Sequence, residues 1–240
     1  MSIKNNQLIK TVWNLIPEVP KRILKSFFYN KETFILKNSS EVFKDVYEKN
    51  IWESNESNSG GGSMLKGTIT IREQLPIIIS KYSINNMLDV PCGDYNWMKE
   101  VDKNCNYTGG DIVAEIVAKN QKLYTTEKVN FIKIDITKDD LKKVDLIFCK
   151  DCLQHLSDES VKKAITNFKK SGSKYLLVTS YPKTWRNHNI LDGDYRPLNL
   201  FKKPYSFPVP IMKIVEKSKL KNVEPDKTMY LFFLESLKEF

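Results

Sequence analysis

The stretch "NMLDVPCGDYNWM", residues 86–98, decides the fold, because a short apolar strand pattern runs there into a turn of small and acidic residues. The turn contains Pro91, one glycine at Gly93 and the aspartates Asp89 and Asp94. Turns of this kind between a strand and a helix bind phosphates or nucleotides, usually with two or three glycines. The single glycine here therefore raises the question of which ligand the turn accommodates.

The segments after this turn alternate between strand and helix patterns. Strands are predicted over 86–90, 107–113, 129–136, 144–151 and 173–181, and helices over 68–83, 95–103, 114–124 and 157–172. The last of these helices has the N-cap candidate Ser157 and stops at Gly172. Two later elements lie over 211–218 and 229–237, and the second is predicted to be a long strand. This alternation predicts an α/β fold with a parallel sheet.

The chain is divided by composition into an N-terminal helical extension, 1–56, and a main domain, 57–240. The extension contains a basic amphipathic helix pattern interrupted by Pro17 and Pro20. Packing on its own domain or on a partner chain, as in a homodimer, is favoured over peripheral contact with a membrane. The Gly/Ser-rich loop at 57–65 is either a linker or a mobile lid. No apolar run spans a bilayer and no signal peptide is evident, so a cytoplasmic location is expected.

The 240 residues carry a formal net charge of +9, yet the lysines are spread out and no arginine-rich stripe interleaves with aromatics. Nucleic-acid binding is therefore not expected. Cys149 and Cys152 have C-x-x-C spacing, but a zinc site would need two more ligands, and the only histidines are His155 and His188. The cysteines are interpreted as small buried hydrophobes, and no metal is expected.

Acidic residues end successive predicted strands at one edge of the sheet. Asp89 ends the first strand, Asp111 the second and Asp135 the third, and the fourth ends at "KDCLQH", 150–155. In an open parallel sheet, ligands bind outside the carboxyl ends of the strands. An acid about 20 residues beyond a glycine turn suits the hydroxyls of a ribose. A pyrophosphate would need more glycines, and Asp94 would repel it, so the pattern favours adenosine joined to an amino acid.

These motifs together resemble the class I S-adenosylmethionine-dependent methyltransferases. The segments "LDVPCGD", "YTGGDIV", "NFIKIDI" and "VDLIFCKDCLQHL" are similar to the four motifs of that superfamily. A bacterial group is more similar, through "YEKNIW" (47–52), "SNSGGGS" (57–63) and "RPLNL" (196–200). This resemblance covers roughly residues 43–236 and implies a Rossmann-like, doubly wound, mostly parallel seven-stranded sheet with a C-terminal antiparallel strand. Because members of the group occur with polysaccharide biosynthesis, it also implies O-methylation of a sugar or nucleotide sugar for surface glycans such as capsular polysaccharide.

The resemblance implies a set of residues that bind S-adenosyl-L-methionine and its product S-adenosyl-L-homocysteine. Asp111 would take the ribose hydroxyls, Asp135 the adenine amino group, and Arg72 the carboxylate of the methionine part. Pro91 and Tyr95 stand where the superfamily usually has glycines. The residues expected to bind the cofactor are Trp52, Arg72, Asp89, Pro91, Cys92, Gly93, Asp94, Trp97, Asp111, Ile112, Asp135, Ile136 and Lys150.

Methyl transfer from a sulfonium depends largely on alignment, and a sugar hydroxyl also needs a general base. The catalytic candidates are His155 and Asp151; histidine titrates closest to neutral pH, and Asp151 would orient it or bind a sugar hydroxyl. The long loop at 181–210 is expected to contact the acceptor. Its candidates are Tyr181, Asn187, Arg196 and Asn199. A metabolite, lipid or RNA acceptor, or a nucleoside-binding module without catalysis, remain open alternatives.

Overall fold

The computed structural model describes residues 37–216 and 226–240. The predicted amphipathic helix of the N-terminal extension lies outside these ranges. Within them, no helix combines the length and the apolar character needed to cross a bilayer.

Seven strands form one sheet in the order β3-β2-β1-β4-β5-β7-β6. Strands β1 to β5 pair in parallel, while β7 runs antiparallel to both of its neighbours, β5 and β6. The predicted doubly wound sheet with a C-terminal antiparallel strand is therefore confirmed. The strands are β1 (Asn86–Asp89), β2 (Asn106–Asp111), β3 (Val129–Lys133), β4 (Leu146–Cys149), β5 (Tyr175–Ser180), β6 (Met212–Val215) and β7 (Thr228–Phe233).

The helices lie where apolar residues recur at helical spacing. A capping box from Asn38 begins the first of them, and the predicted N-cap Ser157 accepts a hydrogen bond from the backbone of Ser160 in the last. The second contains Pro76 without ending there, because buried isoleucines and Leu75 hold both halves against the core. The helices are α1 (Ser39–Glu48), α2 (Ile69–Lys81), α3 (Ala114–Tyr124) and α4 (Asp158–Lys170).

The core lies on both faces of the sheet, as expected for parallel strands. In β4, Leu146 and Phe148 pack with the cluster beside α2, whereas Ile147 and Cys149 pack with the cluster beside α4. Each face therefore receives alternate residues of the same strand.

The helix predicted at 95–103 is wrong, since only a single 3₁₀ turn, Met98–Glu100, forms there. Tyr95 has a left-handed φ of 59°, a backbone conformation that cannot continue an α-helix. Its ring packs within about 5 Å of Tyr107, Tyr124 and Phe131. Tyr95 thus adopts the conformation that a glycine adopts easily, and aromatic packing offsets the strain.

The strand order reverses beside β1, which pairs with β2 on one side and β4 on the other. At such a switch point the connections leave on opposite faces and open a crevice at the carboxyl ends of the strands. Asp89 and the segment following Cys149 lie at that point.

Candidate active site

A cleft of about 1070 Å³, measured with its mouth, lies at the carboxyl ends of β1 to β4. Its size is at the upper end of the range for sites that take a cofactor or drug-sized ligand. Thirteen of the nineteen residues expected at the cofactor and catalytic positions or on the acceptor loop line it. These are Trp52, Asp89, Pro91, Cys92, Gly93, Trp97, Asp111, Ile112, Asp135, Ile136, Lys150, Asp151 and His155.

The β1 turn is tied to the end of β2 through Asp111, which is buried. Its two carboxylate oxygens accept hydrogen bonds from the backbone amides of Gly93 (3.1 Å) and Val113 (3.0 Å). Burial is nonetheless the larger effect and raises the pKa of Asp111 to about 6. The carboxylate thus occupies a fixed position at the cleft wall.

Gly93 answers the question raised by the single glycine of the turn. Its φ is 54°, and a Cβ there would lie 2.4 Å from the hydroxyl oxygen of Ser59. Both the left-handed backbone and the close approach of the Gly/Ser loop exclude a side chain. The glycine therefore serves the contact between the β1 turn and the Gly/Ser loop.

Asp89 is buried at the end of β1 and accepts a 2.7 Å hydrogen bond from the hydroxyl of Tyr107. Burial raises the pKa of Asp89 to about 7, although the hydrogen bond from Tyr107 acts in the opposite direction. This carboxyl is therefore close to half protonated at neutral pH and responds to any cation bound beside it.

The Gly/Ser loop, residues 57–65, folds over the β1 turn. The hydroxyl of Ser57 donates to both carboxylate oxygens of Asp94 at 2.9 and 2.8 Å, and the amide of Asp94 donates to Ser59 at 3.0 Å. Asp94 is thus engaged with the loop and does not line the cleft. Ser59 and Ser63 do line it, so the loop forms part of its wall.

His155 lies in a 3₁₀ turn, Leu153–His155, between β4 and α4. Its Nδ1 is 2.9 Å from the backbone oxygen of Asp194. Because a carbonyl oxygen only accepts, Nδ1 carries the proton in the neutral imidazole and Nε2 holds the lone pair. The rings of Trp52 (4.9 Å) and Tyr195 (5.5 Å) pack against the imidazole.

Asp151 precedes this turn in a left-handed conformation with φ of 52°. Its Oδ2 is 2.5 Å from the ammonium nitrogens of both Lys150 and Lys227. These two cations hold the pKa of Asp151 well below its usual range, overcoming the effect of burial. Asp151 is therefore ionised at neutral pH and is a poor proton acceptor compared with His155.

Arg72 does not line the cleft. One guanidinium nitrogen donates to the backbone oxygen of Leu65 at 3.1 Å, while its buried Nε has no hydrogen-bond partner among residues 37–216 and 226–240. Asp135 lines the cleft but also accepts hydrogen bonds from the amide and hydroxyl of Thr137, so it caps its own turn.

The four acceptor-side candidates lie away from the cleft lining. Arg196 is fully buried and donates to the carbonyl of Leu156 and the carboxylate of Asp158 (3.0 Å). Its own amide donates to the carbonyl of Gln154 at 3.0 Å, so it braces the turn that carries His155. The remaining three (Tyr181, Asn187 and Asn199) are buried or hydrogen-bonded within the 181–210 loop.

Some cleft residues were not found from the sequence. Phe43 and Tyr47, both on α1, line the cleft, and the hydroxyl of Ser40 donates to the backbone of Ile112 at 3.3 Å. The helical spacing of Phe43 and Tyr47 was visible, but nothing indicated that this face would lie on the cleft. The described part of the N-terminal extension therefore packs on the main domain.

Cys92 and Cys152 line the cleft, and Cys149 is buried at the end of β4. Within the described ranges, no group of three His, Cys, Asp or Glu side chains is placed to hold a metal ion.

Comparison with known proteins gives a domain match and a shared fold. Residues 87–171 match the model of a family described as a methyltransferase domain. No curated protein sequence matches significantly. Among solved structures, the N-methyltransferase NodS from Bradyrhizobium japonicum WM9 superposes with a TM-score of 0.59 at 14% identity, covering 82% of this chain and 98% of that chain.

Two further structures share the fold at similar distance. Human N-acetylserotonin methyltransferase gives a TM-score of 0.58 at 13% identity, covering 92% of this chain and 68% of that one. The 1,6-didemethyltoxoflavin-N1-methyltransferase from Burkholderia thailandensis gives 0.54 at 12% identity, covering 84% and 87%.

The matched domain, the sheet order and the strand-end cleft indicate a methyltransferase with the fold of the S-adenosylmethionine-dependent enzymes. The matched segment runs from β1 through α4 and includes the β1 turn, Asp111 and the His155 turn.

Proposed function

We propose that this chain is an O-methyltransferase that uses S-adenosyl-L-methionine to methylate a hydroxyl of a sugar or nucleotide sugar during surface-glycan synthesis, as for a capsular polysaccharide. The observation that carries O-methylation is the His155 imidazole at the cleft, with Nδ1 against the Asp194 carbonyl. A cytoplasmic location, and contact of the N-terminal segment with a second copy or a membrane, belong to the same proposal.

The cleft residues fit S-adenosyl-L-methionine. Asp111 offers remaining lone pairs to the ribose hydroxyls, and Asp89 offers a carboxyl to the ammonium group. Arg72 lies outside the cleft lining, but its buried Nε lacks a partner among the described residues, and we assign it to the ligand's carboxylate. Ile112 and Ile136 supply apolar surface for the adenine.

When bound, this cofactor supplies an electrophilic methyl group on a sulfonium and leaves as the neutral thioether S-adenosyl-L-homocysteine. His155 accepts the proton of the acceptor hydroxyl at Nε2, while the Asp194 carbonyl keeps Nδ1 protonated. Trp52 and Tyr195 restrict rotation of the imidazole, so its lone pair keeps one direction. The second catalytic candidate, Asp151, binds the acceptor.

Three segments that the bacterial group shares support the acceptor assignment. "YEKNIW" contributes Tyr47 and Trp52 to the cleft wall, and "SNSGGGS" contributes Ser59 and Ser63. "RPLNL" contributes Arg196, which braces the His155 turn from behind. The segments that mark the resemblance therefore surround the cleft and its catalytic turn.

A methyltransferase that acts on another small molecule is the second candidate. It is favoured by the variety among the structures with this fold, which include N-methyltransferases of different substrates. The hydrogen bonds that Asn187 and Asn199 make within their loop also leave the acceptor-contacting residues of that loop to be identified.

The test is transfer of labelled methyl groups to a panel of free sugars, nucleotide sugars, small amines and RNA. Label on a sugar oxygen supports the proposal, and label only on RNA or on a nitrogen refutes it. Asp111→Ala is expected to abolish binding of S-adenosyl-L-homocysteine in calorimetry. His155→Ala should leave binding intact and lower turnover by about 10²-fold or more, the usual contribution of a general base.

The chain offers a matched control, because its other histidine, His188, is exposed on the 181–210 loop. His188→Ala should behave as wild type in both assays. Equal activity of the His155 and His188 variants would remove His155 as the base.

A further inference from the structure

Lys227 and Glu216 form, with Lys150 and Asp151, a group of four charged side chains, three of them buried, termed here the charge cluster. Lys150, Lys227 and Glu216 expose only 4–6% of their surface. Neither Lys227 nor Glu216 is among the site residues expected from the sequence. Glu216 follows β6 and Lys227 precedes β7, and the amide of Glu216 donates to the carbonyl of Lys227 at 3.0 Å. The C-terminal strands thus reach the catalytic end of β4.

In the charge cluster, both ammonium groups contact the same oxygen of Asp151 and lie near the same oxygen of Glu216. Oδ2 of Asp151 lies 2.5 Å from both ammonium nitrogens, and Oε2 of Glu216 lies 3.6 Å from Lys150 and 3.5 Å from Lys227. Two ammonium and two carboxylate groups sum to a formal charge of zero. Because the sum is zero, the cluster adds no net charge to this side of the cleft.

The backbone of Asp151 is fixed as well as its side chain. Its amide donates to the hydroxyl of Thr179 at 3.0 Å, and the side-chain amide of Gln154 donates to its Oδ1 at 3.2 Å. The carboxylate keeps 21% of its surface exposed and lines the cleft. Asp151 is thus held by contacts on its backbone and on both carboxylate oxygens, and it still faces the ligand space.

We propose that Lys227, balanced by Glu216, is a positioning residue that holds Asp151 as a fixed carboxylate, which accepts a hydrogen bond from an acceptor hydroxyl next to the one that is methylated. The acceptor class is then a molecule with two neighbouring hydroxyls, as on a sugar ring. A hydroxyl has one proton, so the reacting group donates to His155 and its neighbour donates to Asp151. This inference rests on the proposed O-methyltransferase function of the same cleft.

The first test needs no acceptor. Protein labelled with ¹³C at aspartate carboxyls is titrated by NMR, and Asp151→Asn identifies the Asp151 signal. In wild type this signal should stay that of a carboxylate down to acidic pH, and in Lys227→Met its titration should move to higher pH. Lys213→Met, an exposed lysine on β6, is the matched control and should leave the signal unchanged. An Asp151 signal that is the same in wild type and Lys227→Met overturns the proposal.

The second test uses an acceptor found in the sugar panel. Lys227→Met should lower kcat by about 10²-fold, the scale of a misplaced substrate, with S-adenosyl-L-homocysteine affinity unchanged. Lys227→Arg keeps the charge in a different geometry and should recover about 10-fold of the loss. With a deoxy acceptor that lacks the neighbouring hydroxyl, the kcat of wild type should be as low as that of Lys227→Met. A wild-type kcat that is the same with the deoxy acceptor as with the full acceptor overturns the proposal.

The double variant Lys227→Met, Glu216→Gln distinguishes a folding defect from loss of the positioning role. It removes one charge of each sign and leaves the Lys150–Asp151 pair balanced. It should bind S-adenosyl-L-homocysteine and still show the low kcat; wild-type kcat in it refutes the role of Lys227. If wild-type protein itself fails to bind S-adenosyl-L-homocysteine, the proposed function fails, whereas normal binding with an unaltered Asp151 titration refutes only the charge-cluster proposal.

Discussion

Binding of S-adenosyl-L-homocysteine should release protons from Asp89, and the number released follows from the structure. Burial raises the pKa of Asp89 to about 7, so the free protein holds about 0.9 proton on this carboxyl at pH 6, about 0.5 at pH 7 and about 0.1 at pH 8. An ammonium group bound beside the carboxyl favours its ionised form. Those fractions are therefore the expected upper limit of the release. Ribose hydroxyls that donate to Asp111 also favour its ionised form, so up to about 0.5 proton more is expected at pH 6 from this carboxyl, whose pKa burial raises to about 6.

The assay is isothermal titration calorimetry in phosphate and in Tris, which differ in ionisation enthalpy. The difference in apparent enthalpy gives the protons released at each pH. Asp89→Asn keeps a partner for the Tyr107 hydroxyl and should remove the release at pH 7, whereas Asp94→Asn, in the same turn but outside the cleft lining, should retain it. The same enthalpy in both buffers at pH 7, or an unchanged release in Asp89→Asn, would refute the placement of the ammonium beside Asp89.

Three further outcomes are expected. In urea unfolding of the ligand-free protein, the stabilising effect of neutral Asp89 is fully present below pH 3.8 and is lost as pH rises through about 7; the change is roughly 4 kcal/mol, and Asp89→Asn should remove it. Gly93→Ala should weaken S-adenosyl-L-homocysteine binding and stability, and adding Ser59→Gly should recover only the steric part, because the positive φ remains. Ser157→Ala should cost about 1 kcal/mol in the same unfolding assay, while Ser157→Asn, which keeps a cap acceptor, should cost less.

The strands and their common edge could be predicted because the signal is local. Apolar runs of strand length ending in Asp89 and Asp111 fix both the element and the edge at which its acid lies. The helix at 95–103 could not be excluded in this way, because Tyr95 takes a left-handed φ that only its packing against distant aromatics explains. Tertiary contacts there override the local pattern.

The candidate site was predictable where it follows directly from a strand and less so where distant segments meet. Asp151 and His155 come soon after β4, so their place at the cleft follows from the strand. Lys227 contacts Asp151 although it lies 76 residues further along the chain, and no spacing of residues in the sequence predicts that contact. Arg196 looked like an acceptor contact because it is a charged residue in a long loop, but its burial against Leu156 and Asp158 depends on how that loop folds back.

The packing of α1 on the main domain bears on how this protein can be divided. Composition suggests cutting the chain at the Gly/Ser loop, since glycine-rich segments are usual places for a domain boundary. A fragment that starts at residue 57 would nevertheless lack Phe43, Tyr47 and Trp52, and with them one wall of the cleft and the ring that packs on His155. The smallest unit worth expressing for activity or crystallisation with ligands therefore begins no later than the Asn38 cap of α1.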